Sequence, residues 1–322
     1  MKKNLLNLIC CPDCHKDFNL EIFKKDDEEI SEGSLSCICR KVFLITDGIP
    51  RILPRDLSKK KKETAESFAF EWQKFSQMRE EWKKNFDFYF EPVQPILDSG
   101  IALEAGCGNG RHSHYASKIF KELVSVDLGQ AVDVAYKNNK DKKNIHFIQA
   151  DILNLPFREN TFDFVFSIGV LHHLPDPEKG FKKLVNFLKP SGGMLLYVYH
   201  SFKKSDPKFY LLGFVNFFRR FTTKLPHRIL YLLCFPIAAA SYLILVLPYK
   251  YFFKNFIKQG WPLGAYKDYT FYVMLNDTFD RFSAPIENRY SKEEILKWYE
   301  KENFKNIKIL PGSGLRLFGN KT

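Results

Sequence analysis

Ile101-Ala102-Leu103-Glu104-Ala105-Gly106-Cys107-Gly108-Asn109-Gly110 reads as a short apolar strand running into a glycine turn, and this stretch decides the fold. Three glycines at alternate positions let the backbone bend sharply and let a ligand approach main chain that a Cβ would shield. A glycine turn by itself also arises for packing, so its neighbours carry the weight. Residues 111–120 suit a helix; 123–126 suit a second strand ending at Asp127; 145–149 a third leading to Asp151; 162–167 a fourth leading into Ile168-Gly169; and 194–199 a fifth after Pro190-Ser191-Gly192-Gly193. Helical patterns at 130–138 and 177–188 separate them. Short strands alternating with helices predict an α/β fold with a mostly parallel sheet between helical layers. Such sheets bind ligands beyond the carboxyl ends of their strands.

Three acids sit at those ends. Asp127, closing the second strand, is placed to accept both hydroxyls of a ribose, as in dinucleotide and adenosyl sites. Asp151, with Ile152 behind it, suits an adenine amino group beside an apolar wall. Glu104 immediately before the turn argues against a diphosphate, which wants neutral or basic surroundings at a helix N-terminus. It suits a cationic amino-acid or sulfonium group instead.

Together these residues resemble the class I S-adenosylmethionine-dependent methyltransferases, in the broad branch that includes ubiquinone-biosynthesis-type enzymes. Glu104 to Gly110 matches the cofactor loop and Asp127 the ribose acid. Gln149-Ala150-Asp151-Ile152-Leu153-Asn154-Leu155-Pro156-Phe157 matches the adenine segment, Phe162 to Ser167 with Val170-Leu171-His172-His173-Leu174 the fourth strand and its loop, and Leu188 to Gly193 the turn before strand five. The resemblance covers about 63–200 and 291–319. It implies a Rossmann-like, seven-stranded sheet and a cofactor site of Glu104, Gly106, Cys107, Gly108, Asn109, Gly110, Asp127, Leu128, Asp151, Ile152 and Ser167. His172 resembles a position bordering the cofactor, and its structural role is weighed above a catalytic one. His200, ending strand five, is the preferred base for a hydroxyl acceptor. Phe282 to Tyr290, containing Glu287, Asn288, Arg289 and Tyr290, is either a lining for the acceptor side or a surface loop.

The N-terminal 56 residues form a separate Cys-bearing module. Five of the seven Cys lie within the first 39 residues, and with no secretory segment read ahead of Cys10 the chain is expected in the cytoplasm, where paired cysteines bind metal before they form disulfides. Cys11 and Cys14 make a CxxC knuckle; Cys37 and Cys39, one residue short of the usual spacing, are the second half of a zinc site, with Cys10 and His15 as spare candidates. This module resembles the short zinc-ribbon activators of tRNA and protein methyltransferases, through Cys11-Pro12-Asp13-Cys14 and Asp47-Gly48-Ile49-Pro50-Arg51-Ile52-Leu53-Pro54. Residues 57–92 read as a charged linker, Lys59 to Lys62, followed by aromatic helices that cap the next domain. The core is then 93–200 and 291–322, and Ser291 with Glu294 makes a capping box for a returning helix, followed by closing strands at 306–310 and 315–318.

Residues 201–290 interrupt this rhythm. The chain of 322 residues carries a net charge of +12, and 201–262 holds ten basic residues against the single acid Asp206. Within it, 229–249 is 21 residues without a charge, broken by Pro236 and Pro248. That length suits a bilayer span, but a single crossing would part the closing strands from their sheet. Two readings remain: an apolar, basic-flanked helical element lying on an anionic membrane, which places the chain peripherally on the inner face of the cell membrane, or a buried lid or homodimer surface. The first is favoured, and with it a small or lipid-linked methyl acceptor. Nucleic acid is disfavoured, because the basic residues flank a greasy segment instead of interleaving with stacking aromatics in an open groove. A scaffold that has lost its cofactor is disfavoured by the intact acidic set.

Overall fold

Ile101 to Ala105 becomes a central strand because Ile101, Ala102, Leu103 and Ala105 put apolar side chains on both faces and both faces are covered, with Glu104 the one acid among them. The computed structural model describes residues 1–94, 99–257, 261–312 and 314–322, so Lys258 and Ser313 lie outside the described residues. In chain order the elements are β1 (Asn19–Asp26), β2 (Glu29–Ser36), β3 (Val42–Thr46), β4 (Ile49–Ile52), α1 (Lys59–Lys74), α2 (Glu81–Phe90), β5 (Ile101–Ala105), α3 (Arg111–Ala116), β6 (Glu122–Asp127), α4 (Ala131–Asn138), β7 (Ile145–Ala150), β8 (Phe162–Ile168), α5 (Pro177–Phe187), β9 (Leu188–Val198), α6 (Pro207–Thr222), α7 (His227–Ser241), α8 (Phe271–Ser283), α9 (Lys292–Lys301), β10 (Phe304–Leu310) and β11 (Leu315–Lys321).

Two units are distinguished. The first comprises Met1–Trp72, Ser76–Ser201 and Ile286–Thr322. Its strands run in the order β1-β2-β3-β4-β7-β6-β5-β8-β9-β11-β10. From β7 to β10 this is the expected seven-stranded sheet, parallel from β7 through β9 and closed by the antiparallel β11 and β10. The zinc-ribbon-like module lengthens it: β4 pairs in parallel with β7 through Arg51 opposite Gln149 and Ile52 opposite Ala150, so one eleven-stranded sheet results. Alternate strand residues feed two cores. Leu103, Val124, Val165 and Leu196 pack with Phe181, Trp298 and Tyr299 on one face; Ala102, Leu123, Phe164 and Leu195 pack with Phe86, Phe90 and Phe120 on the other. The helix at 292–301 carries the expected capping box from Ser291 and Glu294.

Two local expectations differ. Lys59 to Lys62 is the first turn of α1 rather than a linker, because its lysines are good helix formers and Lys61 finds a carboxylate partner. The strand expected at 194–199 begins at Leu188 and carries the glycine turn within it, with Ser191 at φ 65° and the register against β8 broken between Phe162 and Phe164.

The second unit comprises Gln73–Phe75 and Phe202–Pro285. Here α7 continues without a break through π-helical turns at Tyr242–Val246 and Tyr249–Phe253. Pro248, which has no N–H to donate, sits between them, where the wider turn accommodates a missing bond. Among the described residues one helix, His227–Phe253, is long and apolar enough to cross a membrane by length and composition, and 22% of its most apolar window is buried.

Candidate functional site

The loop after β5 takes its shape from three left-handed glycines, with φ 88° at Gly106, 53° at Gly108 and 78° at Gly110. A Cβ at Gly106 would stand 2.3 Å from Val170 Cγ2, so only glycine fits between this loop and the loop after β8. Asp127, at the end of β6, ties its neighbours to the turn: Oδ2 accepts from the Gly108 amide and Oδ1 from the Gly129 amide, each at 2.9 Å. Burial pushes its carboxyl up to about 6 against these two amide bonds. An ionised carboxylate has about four acceptor positions, so room remains for a hydroxyl donor.

Glu104 is almost fully buried, and its Oε2 accepts from Ser125 Oγ at 2.8 Å and from Ser113 Oγ. Burial pushes its carboxyl up to about 8, with the two serine hydroxyls opposing the shift. A cationic ligand at the turn would draw it back to the charged form. Cys107 is buried and burial pushes its thiol well up, so it stays neutral. Asn109 Oδ1 accepts from the Arg111 amide at 3.2 Å and holds the start of α3. Asp151 caps the short turn after β7, where Oδ1 accepts from Leu153 N at 3.0 Å and Ile152 is buried behind it. Ser167 Oγ donates to Ala105 O at 2.9 Å, tying β8 to β5, while Leu128 follows Asp127 half-buried. A Cβ at Gly169, φ 77°, would meet nothing within 4 Å, so open space borders the end of β8. The turn, Asp127, Asp151 and Ser167 therefore lie along one row of strand ends. That row fits an adenosyl group with a cationic tail: an acidic ribose position, a glycine turn and open space beside them.

Sequence reading missed how α1 crosses this row. Lys61 Nζ is 2.5 Å from Asp151 Oδ2; Ala65 O approaches Gly129 so closely that a Cβ there would meet it at 2.8 Å; the Phe68 ring meets His173 edge-on at 4.8 Å; and the Trp72 indole leaves no room for a Cβ at Gly108. Residues 61, 65, 68 and 72 follow the helical repeat, which is the signal that was available. The Arg111 guanidinium lies between the Trp72 and Trp82 rings at 4.7 and 4.6 Å from their centroids.

The histidines gather on the other side. The His172 ring is fully buried and lies 3.9 Å from the Tyr199 ring; His173 Nδ1 is 2.6 Å from Ile286 O. Asn288 N donates to His172 O at 2.9 Å, and Arg289 donates to His200 O at 3.2 Å while its Nη2 pairs with Glu287 at 2.7 Å. His200 bridges Tyr290 and is half-buried. So 286–290 is brought to His172, Tyr199 and His200 at one edge of the strand-end row.

In the N-terminal module the sulfurs of Cys11, Cys14, Cys37 and Cys39 all lie within 4.8 Å of one another, with Cys14 to Cys37 at 3.3 Å and Cys11 to Cys39 at 3.6 Å. Zinc–sulfur bonds of about 2.3 Å would set tetrahedral edges of about 3.8 Å, and four thiolates match zinc. The short second knuckle works because its turn is tighter: Arg40 N donates to Cys37 O, whereas His15 N reaches Cys11 O one residue further along. Cys10 stays outside the cluster, with its amide on Pro156 O at 2.8 Å.

Residues 103–196 match the family model described as a methyltransferase domain. The chain is 32% identical over 123 residues to the tRNA U34 carboxymethyltransferase of Pseudoalteromonas atlantica, spanning 36% of this chain and 37% of that protein. It is 30% identical over 113 residues to phosphoethanolamine N-methyltransferase 2 of Caenorhabditis elegans, spanning 34% and 25%. Among solved structures, a SAM-dependent methyltransferase from Aquifex aeolicus superposes with a TM-score of 0.41 at 14% identity, over 75% of this chain and 96% of that one. The chain thus spans well under half of the length of these two curated relatives. On the family match, residues 103–196 form a methyltransferase domain.

Proposed function

We propose that this protein transfers the methyl group of S-adenosylmethionine to a hydroxyl of a small or lipid-linked acceptor near a membrane surface. The observation that carries the reading is Asp127 bonded to the amides of Gly108 and Gly129, beside the loop of left-handed glycines. Asp127 would take the ribose hydroxyls, Asp151 and Ile152 the adenine, and Glu104 the side of the turn that meets the amino-acid tail, with Gly106, Gly108 and Gly110 holding the bend of the turn and Cys107, Asn109, Leu128 and Ser167 shaping the wall. Bound there, the cofactor supplies an electrophilic methyl on a positively charged sulfur.

The chain's own work is to orient the acceptor and exclude water. His200, half-buried at the edge, would take the proton of the acceptor's hydroxyl. His172, wholly buried with its ring tilted against that of Tyr199, would support the wall instead. The apolar, basic segment after β9 favours an acceptor carried by, or lying next to, lipid; it also favours a peripheral location at the inner face of the cell membrane.

A tRNA acceptor is the competing reading, since several relatives are named for tRNA; binding to tRNA that weakens steeply with salt would favour it. Untargeted mass spectrometry of lipid, glycan, small-molecule and digested tRNA fractions from wild-type and deletion cells tests the proposal. A species lighter by one methyl group in the deletion supports it; a change confined to tRNA overturns the acceptor.

A further inference from the structure

In the second unit the polarity of a water-soluble helix is inverted. On α6, Tyr210, Leu211, Phe214, Phe217, Phe218 and Phe221 recur at helical spacing along one face, and all are exposed, from 42% at Phe218 to 67% at Tyr210. The opposite face turns polar groups inward: Arg219 is buried with Nη2 on Ala284 O at 2.6 Å, and Thr222 Oγ1 donates to Phe282 O at 2.8 Å. Along α7 and its continuation, Leu230, Cys234 and Ala238 are buried while Ile229, Leu232, Leu233, Ile237, Leu243 and Ile244 face outward. Among the described residues 25 large hydrophobic side chains are exposed, and 19 of them lie within 209–257. A patch of this kind calls for a non-aqueous partner.

Charge selects the partner. Lys208, Arg220, Lys224, Arg228, Lys250 and Lys254 stand at or near the ends of these helices, against Asp206 as the one acid in 201–257. A second copy of the same surface would set these cations against each other, whereas anionic headgroups match them. The 16 residues of α6 reach about 24 Å, short of the roughly 30 Å hydrocarbon core. Both ends of the segment return to one place, where His200 bridges Tyr290 and Ser201 N donates to Tyr290 O at 2.8 Å. A single crossing is therefore closed to it.

We infer that α6, with the outer face of α7, is a shallow membrane-inserting element that seats the protein on an anionic bilayer without spanning it. This deepens the acceptor reading above by naming the residues that meet lipid, and it rests on that reading only for what is methylated there. The test is flotation of the full chain with phosphatidylcholine vesicles, with and without phosphatidylglycerol, for the wild type, the triple variant Phe214→Ser, Phe217→Ser, Phe221→Ser, and the double variant Arg220→Ser, Lys224→Ser. Thermal melting and S-adenosylhomocysteine binding are read alongside as checks on the first unit.

The wild type is expected to float at least tenfold better with the anionic vesicles. Both variants should lose most of that binding while the melt is unchanged. The inference is overturned if the wild type does not float, if the triple variant floats equally well, if neutral vesicles serve as well as anionic ones, or if the wild type is a dimer that the triple variant converts to monomer without any vesicle binding. Should S-adenosylhomocysteine fail to bind while flotation succeeds, the enzymatic reading falls and this one stands.

Discussion

Lys61 Nζ lies 2.5 Å from Asp151 Oδ2, joining the first turn of α1 to the end of β7 with side chains 14% and 4% exposed. This ion pair fastens the crossing helix over the row of strand ends. Lys61→Met leaves a buried carboxylate without its cation, and a loss of about 3 kcal/mol in urea unfolding is expected. Adding Asp151→Asn should recover at least half of that loss. Strictly additive losses in the double variant would contradict the coupling.

Glu104 and Asp127 set the pH response. Burial raises both carboxyls, to about 8 and about 6, above their ordinary 4.5 and 3.8. Between those limits the unfolded chain has released protons that these two carboxyls still hold in the folded apoprotein, so their contribution to its stability falls as pH rises from about 4 to about 8. Glu104→Gln should flatten the upper part of that decline in thermal melts taken from pH 5 to pH 9. A cationic ligand at the turn favours the charged forms, so S-adenosylmethionine binding at pH 7 should release protons. Titration calorimetry in buffers of different ionisation enthalpy reads that number, and a value of zero would contradict the placement of Glu104.

Gly106 and Gly213 separate two uses of glycine. Gly106→Ala meets Val170 at 2.3 Å and needs φ 88°, so a loss of about 2 kcal/mol or more is expected, together with loss of cofactor binding. Gly213 lies inside α6 with nothing within 4 Å of a Cβ and no left-handed backbone. Gly213→Ala should be neutral or stabilising by up to about 1 kcal/mol. Chemical denaturation of both variants checks the contrast.

The four-cysteine cluster should hold one zinc ion per chain, read by elemental analysis of protein prepared without chelator. Cys39→Ser should reduce the zinc content, and chelation should lower the melting temperature, because β4 of the same module is hydrogen-bonded to β7. Full zinc content in Cys39→Ser would remove that cysteine from the ligand set.

The parallel sheet was legible because its apolar strands end in glycine and acidic residues at regular intervals, and Glu104, Asp127 and Asp151 fall along one row of strand ends as the spacing suggested. The joining of β4 to β7 was not: Arg51 and Ile52 carry no mark of a parallel partner a hundred residues away, since pairing of that kind is decided by tertiary packing. The role of Lys61 was obscured by its place in a run of four lysines, where local composition says solvent and only the fold supplies Asp151. On α6 the aromatic residues were countable in the sequence, but their outward direction depends on which face Arg219 and Thr222 turn toward α8.

The central claim is that the row of strand ends around Asp127 holds S-adenosylmethionine. Calorimetric titration of the full chain with S-adenosylhomocysteine tests it most directly: the account predicts one site per chain, weakened at least tenfold by Asp127→Ala with the melting curve preserved. No heat of binding to a folded wild-type protein, or equal affinity in the Asp127→Ala variant, would contradict it.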